Sequence, residues 1–115
     1  MPRDLKLDLW DMIRSGEDIQ QFLSGVSFAD YEQNRLVRAA VERSFEIIGE
    51  ALCQARDYYP ELKDKIGEHR QIVNFRNRII HGYFALDDGI VYSTAEDFLP
   101  ELLEQVRDIL ATLPE

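Results

Sequence analysis

Ile72-Val73-Asn74-Phe75-Arg76-Asn77-Arg78-Ile79-Ile80-His81-Gly82-Tyr83 reads as a helix with a cation in its apolar face and a histidine and a tyrosine at its end. At about 100° per residue, Ile72, Val73, Phe75, Ile79 and Ile80 define one apolar arc, and Arg76 falls in its middle. Burying an unpaired cation is costly. Arg76 therefore pairs with a carboxylate, extends to solvent, or faces a cavity that takes up an anion. Asn77 and His81 are one turn apart, so their side chains can meet. Gly82 suits the left-handed cap that ends a helix, which leaves His81 in the last turn, where the helix dipole favours the protonated imidazole, and Tyr83 just beyond. Arg76 and His81 are five residues apart, roughly 140° round the helix. A site that uses both needs the helix end to unwind, or a second copy of the chain to face the first. Taken singly, the same residues also fit plain structural parts: a salt-bridged arginine, a dipole-compensating histidine, a packing tyrosine.

Outward from this helix the chain reads as further helices. Leu5, Leu9, Met12, Ile13, Ile19 and Leu23 recur at helical spacing, with Gly16 on the same stripe and Leu7 and Trp10 off it. Leu7 and Trp10 suggest a partner surface or the edge of the core. A second, longer helix is expected from Phe28 to about Tyr58 with Asp30 as N-cap. Its core face is Val37, Ala40, Val41, Phe45, Ile48, Ala51, Leu52 and Ala55, and Glu42, Glu46, Gly49 and Cys53 line the opposite side. A mid-helix glycine costs about 1 kcal/mol relative to Ala. Gly49 is best explained by another backbone passing close, from the same chain or a second subunit. Glu46 or Glu50 would then supply the counter-ion that Arg76 needs. Tyr59-Pro60 breaks the helix, and Glu61 to Ile66 makes a short turn stopped by Gly67. Beyond Leu86-Asp87-Asp88-Gly89, the segment Ile90-Val91-Tyr92 is strand-like in composition, yet with no second strand to pair with it reads as helical. Ser93 or Thr94 offers a capping box with Glu96 or Asp97, and Pro100 fits a first turn. Leu99, Leu102, Leu103, Val106, Ile109, Leu110 and Leu113 complete an all-α, up-and-down bundle of four or five helices.

With 115 residues the chain is expected to be one domain, 1–115. Its 22 acidic and 13 basic residues give a formal charge of −9, which argues against a broad phosphate-binding face and for any nucleic-acid contact being local. His69 and Arg70 place some positive charge at the start of the motif helix. The single Cys53 fits a reducing compartment, and no apolar run is long enough to span a bilayer, so a cytoplasmic protein is expected. Two His and one Cys make no metal-ligand cluster, and no cofactor is expected.

Arg76-x4-His81-x-Tyr83, within Phe75 to Phe84, resembles the signature of the HEPN superfamily and specifically its HepT-like toxins. Arg43-Ser44-Phe45-Glu46-Ile47-Ile48-Gly49-Glu50-Ala51 resembles that family's central helix, and Asp97-Phe98-Leu99-Pro100-Glu101-Leu102 the start of its last one. The resemblance implies the toxin of a toxin–antitoxin system: a metal-independent endoribonuclease whose homodimer builds one composite cleft. It assigns Arg76 to the scissile phosphate and its transition-state charge. His81 becomes general base or acid on the RNA 2′-hydroxyl or leaving oxygen, with Asn77 orienting it and Arg70 and Arg78 adding backbone attraction. Tyr83 becomes the acceptor of AMP from an MNT-type nucleotidyltransferase antitoxin, which silences the toxin. Two other readings stay open on the residues themselves. One is a non-catalytic helical dimerisation or nucleotide-binding module, which the acidic charge favours. The other is a structural dimer in which Arg76 is the buried ion-pair partner of Glu46 or Glu50.

Overall fold

The computed structural model describes residues 4–67, 69–81 and 87–114, His81 by its backbone alone. The expected cap Gly82, the motif residue Tyr83, Phe84 and Leu86 lie outside the described residues. Every described element is helical: α1 Leu5–Leu23, α2 Phe28–Gln33, α3 Arg35–Tyr58, α4 Leu62–Lys65, α5 His69–His81, α6 Asp88–Ser93 and α7 Leu99–Thr112, with a π-helical turn, Thr94–Phe98, joining the last two. The long helices α1, α3, α5 and α7 form the bundle. α3 packs against α1 on one side and α5 on the other, and α7 closes over α1.

The apolar stripes read from the sequence supply the core. Leu5, Leu9, Met12, Ile13, Ile19 and Leu23 of α1 are buried, as are Val41, Phe45, Ile48, Ala51, Leu52 and Ala55 of α3 and Leu99, Leu102, Leu103, Val106 and Ile109 of α7. Fully burying one such large aliphatic or aromatic side chain contributes about 1.5–3 kcal/mol. Ile72 and Phe75 attach α5 to this core, and the Phe75 ring meets Phe45 edge-on with centroids 5.5 Å apart. Ile80 departs from the expected arc. It is 45% exposed, so the apolar face of α5 within this chain narrows towards its C-terminal end.

Two helix starts differ from the sequence reading. The helix expected from Phe28 to Tyr58 is broken at Asn34, which ends α2 and caps α3, its Oδ1 accepting from the Val37 amide at 3.1 Å. An asparagine in extended backbone satisfies an orphan amide better than helix continuation does. Ser27, not Asp30, caps α2, its Oγ accepting from the Asp30 amide. α6 starts about two turns before the expected capping box. Asp87 Oδ1 accepts from the Ile90 amide, while Ser93 and Thr94 lie inside the helix and donate their hydroxyls back to the Ile90 carbonyl. Pro100 sits in the first turn of α7, where its missing N–H is tolerated. The widened turn just before it gives the chain room past the proline ring, which would otherwise strike the preceding turn. α2 is tied to this helix by Tyr92, whose ring contacts Phe28 and Tyr31 and whose hydroxyl donates to the Val26 carbonyl at 2.7 Å.

At Gly49, α5 packs closely against α3. A Cβ placed there would collide with Arg76 Cβ, stand 2.8 Å from Arg76 Cγ, and sit 3.4 Å from the Ile72 carbonyl oxygen. The close backbone that this glycine called for is thus the chain's own α5. Gly49→Ala gains about 1 kcal/mol of helix propensity but overpacks a helix crossing, which typically costs about 1–3 kcal/mol. The expected outcome is a net loss of up to about 2 kcal/mol in urea unfolding; a stabilised variant would show that the crossing is loose.

Candidate functional site

Gly49 lets the stem of Arg76 lie flat on α3, and Glu50, the next residue, receives its head group. Arg76 Nε donates to Glu50 Oε1 at 2.9 Å, Nη2 lies 2.8 Å from the same oxygen, and Nη1 donates to Asn77 Oδ1 at 2.8 Å. Of the three fates open to Arg76, pairing with a carboxylate is the one observed. The choice between the two acidic candidates is resolved by register. Glu46 lies one turn earlier on α3 and pairs with Arg43 at 3.3 Å, so of the two it is Glu50 that pairs with Arg76.

The pair is not sealed in the core: the Arg76 and Glu50 side chains remain 28% and 40% exposed. Ion pairs that open to water are worth about 0–1 kcal/mol. The interaction therefore orients the guanidinium more than it stabilises the fold. A guanidinium carries five N–H groups, and these contacts engage at most three of them. The planar fork is held in place with donors left over for an oxyanion.

Asn77, expected beside His81, has its amide oxygen turned to Arg76. α5 stays helical through His81, so the angular separation of about 140° between Arg76 and His81 holds. Arg70 and Arg78 do not join Arg76. With Asn74 they recur at every fourth residue on the exposed face of α5.

That outer face carries a cluster the sequence did not reveal. A cleft of about 390 Å³ is lined by Arg56, Lys63, Gly67, His69, Arg70, Val73 and Asn74, with no carboxylate among them. These cations come from α3, α4 and α5, and only folding brings them together. Arg56 Nη1 donates to His69 Nε2 at 3.4 Å, which puts the ring proton on Nδ1 and requires a neutral imidazole. Burial, followed by the charges of Arg56, Lys63 and Arg70, pushes the His69 pKa below its ordinary 6.5.

Because that pKa is lowered in the fold, the unfolded chain binds more protons than the folded one just below pH 6.5. The contribution of His69 is neutral above that pH, and stability falls as pH drops from 6.5 to the depressed folded value. His69→Gln is expected to remove this slope from a Tm-versus-pH profile while leaving Tm nearly unchanged at pH above 7; an unaltered acid slope would contradict it.

Comparison with known proteins places this geometry in a family. Residues 12–109 match the family model described as HepT-like, ribonuclease HepT-like. A Methanocaldococcus jannaschii protein provisionally named an RNase is 30% identical, over 98% of this chain and 97% of its own length. A Thermococcus cleftensis protein provisionally named ribonuclease HepT is 30% identical, over 89% of this chain and 92% of its own length. A Caldanaerobacter subterraneus protein provisionally named an RNase is 31% identical, over 86% and 88% respectively. No solved structure gives a significant match. A family model spanning the bundle from α1 to α7, joined by relatives aligned over nearly their full lengths, means that this chain belongs to the HepT-like ribonuclease family.

Proposed function

We propose that the chain is a toxin that cuts RNA in the cytoplasm, acting as a homodimer in which Arg76 of one copy and His81 of the other serve one scissile phosphate. The observation that carries this reading is the unbroken helix from Arg76 to His81. Their side chains leave α5 about 140° apart, and a second copy facing the first supplies the missing half of the site. Family membership supports the ribonuclease chemistry.

In this mechanism the RNA 2′-oxygen attacks the adjacent phosphorus while the 5′-oxygen leaves. His81 takes the 2′-proton as general base, or protonates the departing oxygen as general acid. Arg76, aimed by Glu50 and Asn77, donates to the phosphate oxygens on which charge accumulates. The nucleophile belongs to the substrate, so neither a metal ion nor a covalent enzyme intermediate is needed, and DNA, which lacks the hydroxyl, is spared. Asn77 keeps its amide N–H groups for orienting His81 or the substrate. Tyr83, two residues beyond His81, is the acceptor of AMP from an MNT-type nucleotidyltransferase partner. A bulky anion there would compete for the guanidinium of Arg76 and silence the site.

The non-catalytic alternative retains one supporting observation, the exposure of Leu7 and Trp10 on α1 in a chain of charge −9. Induced expression in bacteria separates the two. Wild type is expected to arrest growth, and His81→Ala to grow normally with RNA cleavage lowered by about 10²–10⁴-fold. Arg76→Ala is expected to lose toxicity with the fold intact, its Tm lowered only by the packing lost between the Arg76 stem and α3, since the ion pair itself is partly in water. Co-expression of the nucleotidyltransferase should restore growth and add AMP mass to wild type but not to Tyr83→Phe. Unslowed growth by wild type, with no added mass, would leave the interaction module as the function.

A further inference from the structure

The cationic cleft on the outer face of α5 continues into a second one. A cleft of about 400 Å³ lined by Gly67, Arg70, Gln71, Asn74, Phe75, Arg78 and Ile90 shares Gly67, Arg70 and Asn74 with the first. Together they run along α5 from Lys63 and Arg56 at one end to Arg78 at the other, three residues short of His81. Among the described residues no carboxylate lines either cleft, although acidic residues outnumber basic ones by 22 to 13 in the chain. Burial and then the like charges of Arg56, Lys63 and Arg70 lower the His69 pKa, so this cluster disfavours further positive charge. A ligand that brings negative charge relieves this repulsion.

The shape favours a chain of phosphates over one. Along α5 the distance from Arg70 to His81 is about 16 Å, at 1.5 Å per residue, and Arg70, Asn74 and Arg78 mark it at each turn. Beyond Arg56, Tyr58 ends α3 and Tyr59 caps it, two and three residues along the chain, and they are 43% and 40% exposed. Cations that follow a backbone beside rings on which bases can stack are how proteins hold single strands.

We propose that this groove binds the backbone of single-stranded RNA on one side of the scission point, with Arg56 and Lys63 as phosphate contacts distant from the reacting bond. The inference rests on the ribonuclease reading and extends it. The strand enters over α3 and α4, follows the outer face of α5, and reaches the catalytic end at His81. Neutral His69 accepts from Arg56 through Nε2 and presents its Nδ1–H as a further donor. Grip of this kind is indifferent to base sequence and sensitive to salt.

The test measures fluorescence anisotropy of a labelled single-stranded RNA of about ten nucleotides bound to His81→Ala protein, across a KCl series. The variant R56Q/K63Q on that background is expected to bind at least about tenfold more weakly at low salt. Its log–log salt slope should flatten by about 1.4, or about 0.7 per lost phosphate contact. Arg107→Gln, which removes a cation paired with Glu17 on another face, should bind as its parent does, and R56K/K63R should restore binding. Unchanged affinity and slope in R56Q/K63Q, while wild type still cleaves RNA, would overturn the groove and leave the ribonuclease standing. Equal binding of duplex RNA with the same loss in the variant would overturn the single-strand assignment. Wild type that neither binds nor cleaves RNA would remove both.

Discussion

The contact between Gly49 and the stem of Arg76 governs the molecule. At this point α5 packs tightly on α3, and a side chain larger than hydrogen at position 49 would meet the Arg76 stem and force something to shift. The same contact fixes which carboxylate Arg76 meets, because Glu50 follows Gly49 while Glu46 lies one turn away and pairs with Arg43. A helix propensity loss of about 1 kcal/mol at Gly49 is thus tied to the orientation of one guanidinium. Packing and site geometry are one constraint here.

The orientation leaves the cation usable. A guanidinium buried in a closed ion pair would be a structural part whose removal leaves an unpaired charge in the core. Arg76 instead touches water and retains free donors, and its partners restrict how its fork can turn. The rest of α5 divides the work between faces. Ile72 and Phe75 anchor it to the core, while Arg70, Asn74 and Arg78 face out. The chain is acidic as a whole, yet three of its 13 Lys and Arg residues, Arg56, Lys63 and Arg70, line one cleft where α3, α4 and α5 meet.

Much of this was legible in the sequence, for reasons that can be named. The stripes of α1, α3 and α7 are long and strongly periodic, so the all-α bundle follows from pattern alone. Gly49 announced a close backbone, because a glycine inside a helix is unfavourable unless something needs the space. Local competition was harder to read. Asn34 breaks a helix that periodicity carries straight through, and Asp87 caps about two turns earlier than the Ser93–Thr94 pair, since several capping residues close together leave the choice to tertiary contacts. Ile80 matched the apolar arc and yet is exposed, because periodicity gives a face and not the extent of its cover. The choice between Glu46 and Glu50 depended on helix register. The cluster of Arg56, Lys63 and His69 was invisible because residues on three elements acquire meaning only together.

The central claim is that one active site draws Arg76 and His81 from different copies of the chain. The direct measurement is RNA cleavage by a mixture of Arg76→Ala and His81→Ala subunits, each inactive alone, after unfolding and refolding together. In a heterodimer of these two, one site lacks both residues and the other is intact. With random exchange, half the dimers carry one working site of two, so activity should return to about a quarter of the wild-type level. If each site were built within a single chain, every site in the mixture would lack one residue. The mixture would then stay as inactive as its components, and the composite site would be refuted.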